Sequence, residues 1–197
     1  MRLRRTLRWC CHAESGVQLV EFAVVLPLLV VFVYGIFDFG NAFNLKQKLA
    51  NAVRDGARSG ADLPSGDTLV QTSGPGGSIP AANLIMQAVD ASLIASQMND
   101  CGLATVAGVQ TPGTLIWEYD ATGGSCTAAN ELKLTINRGF LYKATINSNL
   151  VDVLATQVTI TYPYAWRFNR VITLVSPGST YSGVVTITST STMVNAD

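Results

Sequence analysis

The chain has 197 residues, with 13 basic and 13 acidic side chains, four cysteines, one histidine and a mean hydropathy of +0.30. Charged residues make up 13%, about half the ~25% usual in soluble domains, so contact with a membrane is expected and the length accommodates one compact domain with an appendage. A net charge of zero argues against nucleic acid as a partner, because that binding needs clustered Lys and Arg to neutralise phosphates.

The zero balance hides an asymmetry. Residues 1–16 carry Arg2, Arg4, Arg5 and Arg8 against Glu14, a charge of +3, and the remainder carries −3. No charged side chain occurs over 22–37, and from Val17 to that point the only charge is Glu21, so the stretch approaches the ~20 residues that span hydrocarbon. Basic residues stay on the cytoplasmic side; the leader is therefore expected inside and everything after Asp38 outside. A secretory signal peptide would share the basic start, with Gly40, Asn41 and Ala42 as small residues for cleavage. The apolar run is nonetheless longer than the 7 to 15 residues of a signal core. A plain anchor leaves Glu21 unexplained, since a carboxylate costs about 2.5–3.5 kcal/mol at the bilayer centre.

Around that carboxylate the sequence reads Gly16, Val17, Gln18, Leu19, Val20, Glu21, Phe22, which resembles the cleavage region of type IV prepilins. The resemblance implies a cut after Gly16 by a membrane-embedded prepilin peptidase, leaving Val17 as the new N-terminus. The Val17 ammonium and Glu21 of a neighbouring subunit would then pair in an apolar setting, where each charge alone is expensive. Two further blocks extend the likeness: Val20, Glu21, Phe22, Ala23 with Leu26, Pro27, and Asn51, Ala52, Val53, Arg54, Asp55, Gly56, Ala57, Arg58. Together they resemble the TadE family of minor pilins from tight-adherence (Tad or Flp) pilus systems. A weaker echo lies in VTITYPYAW and STSTMV, although the residues after Met193 depart from the family's usual charged tail. The resemblance implies a minor pilin or pseudopilin, single-pass in the bacterial inner membrane, without cofactor. Its partners would be membrane lipid, the prepilin peptidase, other pilin and pseudopilin subunits, and the inner-membrane assembly platform.

Beyond the membrane, Phe39, Ala42, Phe43, Lys46, Leu49, Ala52 and Val53 recur at spacings of three and four, which predicts one helix over 17–59. At 1.5 Å per residue it would extend roughly 64 Å. Pro27 removes a backbone hydrogen bond and is expected to kink it. Ala52, Gly56 and Gly60 form a small-residue stripe that lets another element approach closely; intramolecular packing is its expected use. Arg54 and Arg58 suit a solvated helix C-terminus, with an intersubunit contact as the alternative. Residues 60–80, rich in Gly, Pro, Ser and Thr, read as a linker.

The remainder, 81–197, reads as an extracytoplasmic α+β domain. A second helix is predicted over 83–98, with Leu84, Ala88, Ala91 and Ala95 on one face and Ile85 and Val89 beside them. Strands are predicted near 114–119, 131–136, 156–162 and 184–192, with alternation clearest at Leu132, Leu134, Ile136 and at Val158, Ile160, Tyr162. One apolar face per strand implies an antiparallel sheet covered by helix on one side.

Cys101 and Cys126 fall in the part expected outside and enclose a strand, so a disulfide is the simplest reading; it would contribute about 3–4 kcal/mol in the chain-entropy model. Zinc is not expected, since neither cysteine belongs to a CxxC pair. His12, the one histidine, sits in the leader with Cys10 and Cys11. The outer domain therefore lacks the imidazole of a Ser/His/Asp triad or Cys/His dyad, and an enzyme is not expected. Tyr162, Pro163, Tyr164 and Trp166 form an aromatic cluster, either a sheet edge or, in the alternative of an uncleaved membrane-anchored binding protein, a ligand surface.

Overall fold

The computed structural model describes residues 13–63, 80–146, 148–167, 178 and 183–196. The leader through His12 and linker residues 64–79 lie outside the described residues. The fold is α+β: helix α1 (Ala13–Ala61), helix α2 (Pro80–Ala95), a 3-10 turn (Leu103–Thr105), and strands β1 (Val109–Gln110), β2 (Ile116–Ala121), β3 (Leu132–Ile146), β4 (Asn149–Ala165) and β5 (Val184–Val194). The five strands form one antiparallel meander in chain order.

Helix α1 runs unbroken through Pro27 and ends two residues later than the periodicity predicts. Its upper half packs on the sheet and on α2 through Leu49, Ala52, Val53, Gly56, Ala57 and Gly60, all buried. Phe39 and Phe43, expected on that face, are exposed, and Asp38 takes their place, because the Tyr164 hydroxyl of β4 binds its carboxylate there. The small-residue stripe does pack inside the molecule. A Cβ at Gly56 would strike Val89, and one at Gly60 would lie 2.6 Å from Thr156 Cγ2 and 2.8 Å from Ile85 Cδ1.

Gly60 is thus closed in from two elements at once, so no single side-chain rotation relieves the crowding. Gly60→Ala is expected to destabilise the fold, since overpacking costs about 1–3 kcal/mol against a helix-propensity gain of about 1 kcal/mol. Thermal unfolding of the full chain in mild detergent should show a melting temperature lower by roughly 2–6 °C; an unchanged midpoint would contradict this close packing.

Helix α2 begins three residues earlier than predicted; its buried face keeps Ile85 and Val89 of the predicted one but turns to Ala81, Ala82, Met86 and Leu93, with Leu84 46% exposed. Pro80 stands at the helix start, where its missing N–H costs nothing. The helix is apolar nearly all round, so periodicity alone leaves the face undecided. The larger side chains win because they fill the hollow above the glycine stripe.

Leu132, Leu134, Ile136, Val158 and Ile160 are buried as their alternation predicts, joined by Trp117, Tyr119 and Ala121 of β2. The opposite face carries hydroxyl pairs, Thr159 with Thr190 at 3.0 Å and Thr161 with Thr188 at 3.2 Å. Strands β3 and β4 run far beyond the predicted segments, pairing from Lys133↔Thr161 to Ile146↔Asn149, and β1 has no counterpart among the predicted strands. Residues 140–145 and 149–154 place apolar side chains on both faces, so the period-two signal fades there.

Candidate functional site

The segment from Gly16 to Phe22 lies within α1. A Cβ at Gly16 would meet nothing within 4 Å, and Val17, Glu21 and Phe22 are exposed. Gly16, Val17, Val20, Glu21, Val24 and Val25 line a shallow apolar groove on one face. The Gly16–Val17 bond lies within α1. The most apolar 18-residue window of α1 has a mean hydropathy of 2.5 with none of it buried, making this a helix long and apolar enough to cross a membrane.

The block at the other end of α1 divides by face. Asn51, Arg54 and Arg58 are exposed, whereas Gly56 is buried against α2. Asp55 accepts a 2.9 Å hydrogen bond from the Ser92 hydroxyl, a second tie between the helices.

Between these two regions lies a junction. Asp38 is the first charged residue after the apolar run, yet it is only 3% exposed. The Tyr164 hydroxyl donates to its carboxylate at 2.7 Å and to its carbonyl at 3.1 Å. Trp166 meets Phe39 edge-on with ring centroids 5.2 Å apart, and Tyr164 at 5.1 Å. Burial first, then the hydrogen bond and charge of Asp38, push the Tyr164 phenol up to about 12. The aromatic cluster is therefore a clasp that fixes the end of β4 to α1 where the apolar run stops. Asp38 had a sequence signal, a carboxylate closing a charge-free run, but nothing local names its partner 126 residues away.

A second buried charge closes the far end of α1. The core-facing phase of Leu132, Leu134 and Ile136 continues to Arg138, which is fully buried. Its Nη2 donates to the carbonyls of Gly60 at 3.3 Å and Leu63 at 3.0 Å. The register shifts between Asn137 and Phe140, so the strand bends immediately after this arginine. Sequence reasoning assigns Arg138 no role.

Cys101 and Cys126 are disulfide-bonded with Cα atoms 5.6 Å apart, joining the turn after α2 to the β2–β3 loop. Close by, Asp90 is 8% exposed; burial, and then the charge and hydrogen bond of Asp100, raise its carboxyl above the ordinary 3.8. The folded chain holds this proton more tightly than the unfolded chain, so the contribution to stability is full below about 3.8 and is lost as pH rises through the folded value. Asp90→Asn keeps a neutral donor towards Asp100. It is expected to raise the melting temperature by about 2–4 °C at pH 7, with the gain vanishing near pH 3. Melting curves of both proteins across that range test it; a gain independent of pH would point to another cause.

The model of a family described as TadE-like protein matches residues 16–58. The match begins at the motif glycine and ends at the last arginine of the second block, so it coincides with the segment that bears the resemblance in the sequence. No curated protein and no solved structure matches the chain.

Proposed function

We propose that this chain is a minor pilin or pseudopilin-like structural component of a Tad (Flp) pilus assembly and secretion apparatus. It is inserted in the bacterial inner membrane with its N-terminus in the cytoplasm and is cleaved after Gly16 by a prepilin peptidase. The observation that carries the reading is the TadE-like match over residues 16–58, laid on a helix whose lower half is uncovered while its upper half holds the domain. That division of labour suits a subunit that is stored in lipid and later packs its apolar half among other pilin helices on the assembly platform. The protein acts by assembly rather than turnover.

The alternative, an uncleaved anchor whose aromatic cluster binds a ligand, is weakened because Tyr164 and Trp166 are engaged with Asp38 and Phe39. The mass or N-terminal sequence of the protein extracted from membranes of cells with an active peptidase separates the readings. A chain beginning at Val17 is expected; one beginning at Met1 leaves the plain anchor, and one beginning at Phe43 the signal peptide.

A further inference from the structure

We propose that the β3–β4 hairpin is a self-assembly edge, at which strand β3 of one copy adds antiparallel to strand β4 of a second copy standing in the same membrane. The inference rests on the membrane insertion proposed above. Strand β2 leaves β3 after the pair Ile116↔Asn137, and β5 leaves β4 after Ala155↔Val194, with one further bond from the Asn195 N–H to the Leu154 carbonyl. Beyond the irregularity between Asn137 and Phe140, residues 140–146 and 149–154 pair only with each other among the described residues. The outer edges of this ribbon therefore offer N–H and C=O groups to a further strand, and a two-stranded ribbon by itself is marginal in water. Nor is the ribbon defended as exposed edges usually are. Residues 140–154 contain no proline and only two charges, Lys143 and Asp152, while Leu141, Tyr142, Leu150 and Val151 are exposed apolar side chains.

Orientation selects the occupant. Tyr164 meets Asp38 where the apolar run stops, whereas Thr156 lies against Gly60 near the C-terminal end of α1, so β4 runs antiparallel to the helix. Residues 149–154 precede Thr156 and continue past that end, carrying the ribbon about 20 Å further from the bilayer. Copies anchored in one membrane stand the same way up. Like strands of upright neighbours, β3 with β3 or β4 with β4, then meet in parallel, while β3 of one and β4 of the next meet antiparallel, as they do within the hairpin. Charge makes the same choice. To the ribbon β3 contributes Lys143 as its one charge and β4 contributes Asp152, both exposed, so pairing of like strands never joins opposite charges. In the hairpin's own register, Lys143 of one copy faces Asp152 of the next. Such a contact is head-to-tail and repeats from copy to copy. An edge this short buries less than a stable soluble interface, and confinement to one membrane supplies the effective concentration it needs.

Full-length protein carrying a donor or an acceptor fluorophore at its C-terminus, reconstituted together in phospholipid vesicles, tests the edge by energy transfer. Transfer above that of randomly dispersed copies is expected for the wild type. Lys143→Glu sets a like charge against Asp152 of the next copy, and Asp152→Lys sets one against Lys143; each variant alone is expected to associate at least about tenfold more weakly. Mixing the two variants is expected to restore association, because every junction between alternating copies again joins opposite charges, although the like charges within each hairpin remain. A purely intramolecular role for the pair would leave the mixture as weak as its components. Transfer at the random level in the wild type overturns the proposal, as does the absence of recovery in the mixture. Association of either variant alone at the wild-type level also overturns it, assigning the contact to α1. Failure of the membrane reading shows separately, as release of the wild-type protein from bacterial membranes by alkaline carbonate.

Discussion

Replacing Arg138 by methionine is expected to destabilise the fold by about 2–4 kcal/mol, the largest single loss foreseen for a residue outside the apolar core. The last four carbonyls of a helix lack intrahelical donors, and the macrodipole places partial negative charge there. At the end of α1 Gly60 is buried, and the Arg138 guanidinium donates to its carbonyl and to that of half-buried Leu63, two residues past the helix, while the Ala61 carbonyl takes the Ala196 N–H. Methionine fills much of the same volume but donates nothing, so the Leu63 carbonyl loses the guanidinium and the Gly60 carbonyl keeps only the 3.4 Å bond from the Leu63 N–H, a loss of about 1–3 kcal/mol apiece. Thermal unfolding of the full chain in detergent should fall by roughly 5–15 °C. Arg138→Lys keeps the charge without the planar fork and should fall between. Arg58→Met, at an exposed position on the same helix, should stay within about 0.5 kcal/mol. If the Arg138→Met and Arg58→Met proteins melted together, Arg138 would be a passenger rather than the cap of α1.

Such a residue marks where the sequence stops being informative. The pattern of Leu132, Leu134, Ile136 and of Val158, Ile160 is short-range, so the chain itself reveals an α+β fold with a one-sided sheet, and the buried side chains agree. The disulfide of Cys101 with Cys126 is likewise readable, because the two cysteines enclose a predicted strand in the part expected outside. Arg138 continues the same alternation but breaks its polarity, and its partners lie 75 and 78 residues away. Asp38 answers to Tyr164 across 126 residues. Neither bond leaves a trace in local periodicity, and each decides where α1 is held, Asp38 near its middle and Arg138 at its C-terminal end. The buried face of α2 is hidden for another reason: two apolar stripes compete on one short helix, and only the glycine hollow of α1 chooses between them. The stretch Gly16 to Phe22 opens the segment that the TadE-like model matches, and its resemblance is readable because it depends on spacing along one helix and on no tertiary contact.

Replacing Glu21 by alanine or glutamine is expected to leave insertion and cleavage intact while abolishing entry into the assembly complex. The proposed cut after Gly16 would create an ammonium group at Val17, one helical turn below Glu21 on the same face. In the lone subunit neither group is covered by the rest of the chain, so lipid headgroups and water can serve both. Packing α1 among other apolar helices strips that solvation. An ammonium then left without a carboxylate costs about 3–5 kcal/mol, more than a hundredfold in association. Glutamine is the sharper variant, because it preserves size and hydrogen bonding and deletes only the charge. Two measurements on the same cells read the outcome: the N-terminal mass of the membrane form, expected to begin at Val17 in wild type and variants alike, and the pilus yield with the amount of protein recovered in assembly complexes, expected to collapse for both variants. Glu21→Asp retains the charge on a shorter stem and should recover part of the yield. Normal piliation by the correctly cleaved Glu21→Gln protein would remove the carboxylate from the mechanism, leaving shape alone to align α1 with its neighbours.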